Sequence, residues 1–182
     1  VNQGPTSQFT LGPNAGCVDL TIQMANTSTG IVSQVWHFGD GNSSIQNNPT
    51  HTFTSAGSYA VQLVVIDNIG CPDTATQVVT VHPLPTVDFT PTPVDPCVQP
   101  TVINFTNNST DAAAYAWNFG NGLTSTLTHP SSTYQQVGDY SVSLVATSVH
   151  GCVDSIRKTV SSYRMPTASF LLPTDSICIG KT

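Results

Sequence analysis

The chain has 182 residues, only 8% of them charged, and a formal net charge of −6 at pH 7. A negative chain lacks the basic patch that nucleic acid or an anionic membrane surface requires, so neither is an expected partner. The ten acidic residues are all Asp and Lys plus Arg total four, so the usual occupants of helix surfaces are scarce; Thr, Ser and Val take their place and predict an all-β protein.

Taken in order, Pro5 stands four residues before Phe9, and Cys17 follows. Val18, Leu20, Ile22 and Met24 alternate with Asp19, Thr21 and Gln23, the period-two pattern of a half-buried strand. Trp36 and Phe38 face one way along the next strand, and Gly39-Asp40-Gly41 is a tight turn that calls for positive φ. Tyr59, Val61, Leu63 and Val65 line a further strand, and Asp67-Asn68-Ile69-Gly70 closes a late hairpin just before Cys71.

The same landmarks then return. Phe9, Phe89 and Phe170 are 80 and 81 residues apart, and so are Cys17, Cys97 and Cys178. Trp36 and Trp117, Tyr59 and Tyr140, and Cys71 and Cys152 are each separated by 81 residues. Pro85 and Pro166 precede their Phe as Pro5 does, and Gly120-Asn121-Gly122 repeats the turn. Tyr115, Trp117 and Phe119 share one face, and Tyr140, Val142, Leu144 and Ala146 share another. So many coincident spacings define a tandem repeat of about 81 residues. Its units run over residues 1–82 and 83–163, with 164–182 as the opening strand of a third. Proline at the seams, His82-Pro83-Leu84-Pro85 and Tyr163-Arg164-Met165-Pro166, predicts short, stiff linkers. With about seven short strands to a unit and no helical period, the predicted architecture is an immunoglobulin-like β-sandwich. The start at Val1, without an initiator Met, reads as the beginning of a cut or processed segment.

Trp36-His37-Phe38-Gly39-Asp40-Gly41, His51-Thr52-Phe53 and Gly57-Ser58-Tyr59-Ala60-Val61 together resemble the signature of PKD (polycystic kidney disease) domains. The second unit matches it with Trp117-Asn118-Phe119-Gly120-Asn121-Gly122, Thr133-Tyr134 and Gly138-Asp139-Tyr140-Ser141-Val142, departing by Asn121 in place of Asp. The resemblance implies extracellular β-sandwich modules. In bacteria such modules occur in long surface adhesins, in gliding-motility adhesins, and beside secreted proteases and glycoside hydrolases.

Each full unit carries one Cys ahead of its second strand and one in its last hairpin, and an oxidising compartment predicts the disulfides Cys17–Cys71 and Cys97–Cys152. Cys178 would find its partner beyond Thr182. No metal is expected; a calcium reading would rest on Asp40, with Asp67, Asp73 and Asp88 as further oxygen donors, against the plainer reading that Asp40 bonds its own turn. No nucleophile, base or zinc constellation recurs, so no catalysis is expected. Asp73-Thr74-Ala75, Asp154-Ser155-Ile156 and Asp175-Ser176-Ile177 fit a pattern for sugar attachment at Thr74, Ser155 and Ser176, weighed evenly against ordinary turn-to-strand hydrogen bonding.

These features predict a non-catalytic, stiff spacer or adhesive segment of a secreted or cell-surface protein, in which each repeat adds reach. Its partners would be neighbouring repeats of the same protein, other copies in a fibre, or surface glycans and proteins. Two alternatives stand beside it: an accessory binding module of a secreted protease or glycoside hydrolase, and a filament subunit assembling by strand exchange through the apolar tail Phe170-Leu171-Leu172.

Overall fold

A computed structural model describes residues 4–95 and 99–163, and every regular element among them is a β-strand. Eight strands make up the first unit: β1 Phe9–Leu11, β2 Ala15–Cys17, β3 Leu20–Asn26, β4 Ser33–His37, β5 Ser43–Ser44, β6 Thr50–Phe53, β7 Gly57–Ile66 and β8 Pro72–His82. The second unit comprises β9 Phe89–Pro93, β10 Thr101–Asn107, β11 Ala114–Asn118, β12 Thr124–Ser125, β13 Ser131–Tyr134, β14 Gly138–Thr147 and β15 Val153–Ser162.

Each unit is two facing sheets. In the first, β1-β3-β6 faces β2-β8-β7-β4-β5; in the second, β9-β10-β13 faces β12-β11-β14-β15. The alternation along the strands explains why. Ile22 and Met24 from one sheet meet Trp36, Val61, Leu63, Val65 and Val79 from the other, all buried in one cluster. Ile103, Phe105 and Tyr134 meet Trp117, Val142, Leu144 and Ala146 in a second, separate cluster. Trp36 and Trp117 occupy matching strands, paired with Leu63 and Leu144, and the indole N–H groups reach the carbonyls of Gln46 and Leu127 at 3.0 and 2.9 Å. Burying an indole with its one donor satisfied avoids the cost of an unpaired polar group.

One strand departs from the period-two reading. The run from Val18 to Met24 is broken at Asp19, whose φ of 66° is left-handed. The chain switches sheets there: β3 begins at Leu20 and pairs with β1 and β6, while β2 joins the opposite sheet, parallel to β8, with Cys17 opposite His82. Val18 continues that edge by donating its N–H to the His82 carbonyl at 3.0 Å. Asp is among the few residues that tolerate this conformation, so the break leaves no trace in hydrophobic periodicity.

The glycine turns differ in their demands. Gly39 and Gly120 have φ of 85° and 74°, and a Cβ on either would lie 2.9 Å from backbone atoms of Ala60 or 2.8 Å from the Ser141 carbonyl oxygen. Gly41 and Gly122 share the positive φ but face open space. Gly120→Ala should therefore cost more than Gly122→Ala. We expect roughly 1–3 kcal/mol of backbone strain at either site, with the steric clash added only at Gly120; urea unfolding of the two variants measures the difference.

Candidate functional site: the seam between the units

The turn signature is a brace between loop and strand. Asp40 Oδ2 accepts from His51 Nε2 at 2.7 Å, and Oδ1 accepts the Asn42 N–H at 3.0 Å. Asn121 holds the equivalent place with different chemistry: its amide donates to Ser132 Oγ and the Thr133 carbonyl, both at 3.0 Å, and its oxygen accepts the Leu123 N–H at 3.1 Å. Either side chain ties the turn to the neighbouring strand, which accounts for the Asp-to-Asn departure. Burial works to raise the Asp40 pKa, but the hydrogen bonds from His51 and Asn42 outweigh it and hold the carboxyl below its ordinary 3.8. Tyr59 and Tyr140 likewise match, donating to the carbonyls of Ser55 and Gln136 four residues back, at 2.8 and 2.9 Å.

The other acidic side chains have structural partners too. Asp67 Oδ1 accepts the N–H groups of Ile69 and Cys71 at 3.0 and 2.8 Å. Asp73 accepts the Ser7 N–H at 2.7 Å, and Asp88 pairs with Lys158 at 2.7 Å. The Lys158 ammonium holds the Asp88 carboxyl below its usual value, against the opposing effect of burial. No three His, Cys or Asp side chains among the described residues converge on a point that would hold a metal. Thr74 and Ser155 are exposed on β8 and β15, while their Asp neighbours bond backbone N–H groups, Asp154 that of Ser155 itself at 2.7 Å. Ser176 and Cys178 lie outside the described residues, as does Cys97.

The cysteines overturn the pairing expected within each unit. The disulfide joins Cys17 of the first unit to Cys152 of the second, with Cα atoms 5.5 Å apart, and Cys71 is an exposed free thiol. Strand β8 is the reason that Cys17–Cys71 does not form. Cys71 immediately precedes its first residue, Cys17 is opposite its last, and ten steps of an extended strand span about 33 Å. A disulfide requires Cα atoms within roughly 7 Å. Cys152 sits instead on the β14–β15 hairpin, which the linker turns toward the end of β8, and with that thiol taken Cys97–Cys152 does not form either.

Residues that spacing alone did not single out complete the seam. His82, at the end of β8, stacks on His150 with ring centroids 3.7 Å apart and planes 8° from parallel. Cys152 Sγ lies 4.0 Å from the His82 carbonyl. Pro83, Asp111, Ala112, Ser148 and Val149 line a cleft beside the rings. The hairpin holding Cys152 is fixed by Ser148, whose Oγ accepts the Cys152 N–H at 3.1 Å and whose N–H donates to the Cys152 carbonyl at 2.8 Å. The seam thus combines a covalent bond, a ring stack and a proline linker.

Two stacked, largely antiparallel sheets with a buried Trp and a Tyr bonded four residues back define immunoglobulin-like sandwiches in tandem. The PKD domain family matches residues 2–81 and again residues 83–162, and the chain belongs to that family. PKD domains are non-catalytic modules, and this chain is not an enzyme. It is 48% identical over 54 residues to a microbial collagenase of Vibrio alginolyticus, covering 30% of this chain and 7% of that protein. It is 38% identical over 84 residues to the pre-pro-metalloprotease PrtV of Vibrio cholerae, covering 44% of this chain and 9% of that one. The chain thus spans less than a tenth of the length of these curated relatives. Among solved structures, the PKD1 domain of Vibrio anguillarum Epp is 29% identical with a TM-score of 0.39, covering 46% of this chain and 96% of that one. The PKD1 domain of the Vibrio cholerae metalloprotease PrtV is 32% identical with a TM-score of 0.37, covering 43% and 95%.

Two expectations follow. The disulfide closes a loop with a sequence separation of 135 that takes in most of both units, and the chain-entropy model assigns a closure of that length about 5 kcal/mol. Reduction, or Cys17→Ser, should lower the unfolding midpoint of both units in calorimetry, whereas Cys71→Ser should leave both unchanged. For Asp40, a pKa depressed in the folded state contributes stability that is present above the unfolded value of 3.8 and lost as pH falls through the lower folded value. Asp40→Asn should flatten this part of the acid-unfolding curve of the first unit, by on the order of 1 kcal/mol for a single ion pair near the surface.

Proposed function

We propose that the chain is a disulfide-stiffened spacer of a bacterial extracellular protein, setting the distance and orientation between segments attached at its two ends. The observation that carries this reading is the Cys17–Cys152 bond, which ties one unit to the next rather than stapling a single core. Two modules joined only by a linker move relative to one another by default; a covalent bond beside a proline linker removes most of that freedom. The units take residues 1–82 and 83–163, and residues 164–182 open a third of the same kind. A disulfide persists in oxidising compartments, which supports an extracellular location.

A second reading is favoured by the relatives, whose names are those of collagenases and a metalloprotease. In it the spacer serves a secreted protease as an accessory module, with the catalytic domain elsewhere in the polypeptide. Proteolysis by the full-length polypeptide but not by this chain would support that reading; a full-length polypeptide without proteolytic activity would leave the surface stalk.

Small-angle scattering of the oxidised and reduced chain tests the spacer itself. Reduction should broaden the distribution of inter-unit arrangements while far-UV circular dichroism stays that of β-sandwiches. Identical scattering before and after reduction, with the bond verified as broken, would defeat the stiffening role.

A further inference from the structure

The seam has equivalents at both outer ends of the two-unit chain, and there the described residues that match Cys152, His150 and His82 are exposed. By the repeat register, Cys71 corresponds to Cys152, Ile69 to His150, and Tyr163 to His82. At the seam these positions are covered: Cys152 is fully buried in the disulfide, and His150 stacks on His82. At the outer ends Cys71 is an exposed thiol, Ile69 is 62% exposed and Tyr163 is 66% exposed. The supporting hairpins are built alike. Asp67 accepts the Cys71 N–H at 2.8 Å and donates its own N–H to the Cys71 carbonyl at 3.1 Å; Ser148 holds Cys152 with the same pair of bonds at 3.1 and 2.8 Å. Gly70 and Gly151 occupy the matching left-handed position, with φ of 89° and 79°. The first unit therefore presents Cys71 in the conformation in which the second presents Cys152.

We propose that Cys71 is the receiving end of a further inter-unit disulfide, its partner being the strand-opening cysteine of another PKD repeat of the same polypeptide, seated against the first unit as the first is seated against the second. The rule is a ladder: the cysteine at the Cys17 position of one unit bonds the hairpin cysteine of the next. Ile69 would then meet the residue of the preceding repeat equivalent to His82, and Tyr163 the residue of the following repeat equivalent to His150. Each bond forms from two thiols with loss of two protons and two electrons, the electrons passing to a disulfide-donating oxidant of the secretory route, such as a dithiol–disulfide oxidoreductase. This rests on the spacer reading and extends it from one seam to the array.

The experiment is non-reducing peptide mapping of the full-length secreted polypeptide, alkylated before digestion. The Cys71 peptide should be blocked to alkylation until reductant is added, and should be bridged to a peptide of another repeat at the position matching Cys17. A free Cys71, or a Cys71–Cys97 bridge, would overturn the ladder. Mapping a mixture of isotopically light and heavy polypeptide separates the sources: a mixed-mass bridge at Cys71 would mean that a second copy is the occupant and would also refute it. Cys17–Cys152 serves as the internal reference. Its presence with Cys71 free defeats only the ladder, whereas its absence defeats the stapled spacer as well.

Discussion

The β7–β8 ladder, continuous from Gly57 opposite Val81 to Ile66 opposite Pro72, separates the two ends of the first unit by the length of a long strand pair. The consequences at the seam follow from that separation. The hairpin with Cys71 is at one end, and the β8 terminus, the β2 edge and the linker are at the other. The β14–β15 ladder repeats the arrangement, so the hairpin end of one unit abuts the terminal end of the one before it. Cys17 and Cys71, at the two ends of the first unit, are too far apart to bond each other, and Cys17 bonds Cys152 of the neighbouring unit instead.

Asp19 is a small feature with a large effect in this geometry. Its left-handed backbone lets the chain leave one sheet and lay β2 along the edge of the other, which sets Cys17 opposite His82. The covered β8 edge also removes a row of unpaired backbone groups at the unit's margin, a protection against stray strand pairing.

The two units reach the same fold with different side chains at corresponding places. Gln77 and Lys158 both donate to the carbonyl of the repeated Phe, Phe9 and Phe89, at 2.7 and 2.6 Å. Asp40 braces its turn through His51, and Asn121 through Ser132 and Thr133. What is held constant is the hydrogen-bond geometry, which an amide, an ammonium or a carboxylate can satisfy from one position when the partner changes with it. Core positions are less free, because packing at the density of a protein interior admits few volumes; hence Trp, Phe and the aliphatic rows recur in register.

The linear order of residues was enough to determine the repeat, the sandwich class, the buried Trp36 and Trp117 and the turn glycines, because each arises from local periodicity or from a residue's own conformational limits. Pairing of the cysteines was not determined in this way. With a period of about 81, Cys17 stands in the same relation to the hairpin cysteine of its own unit as every other strand-opening cysteine does to its own, and spacing is silent on whether the bond stays within the unit or crosses to the next. Only the tertiary structure decides it, through the length of β8, the sheet switch at Asp19 and the turn of the linker at Pro83, none of which has a periodic signature. The His82–His150 stack was hidden for the same reason: two residues 68 positions apart come together only when one folded unit is seated on another.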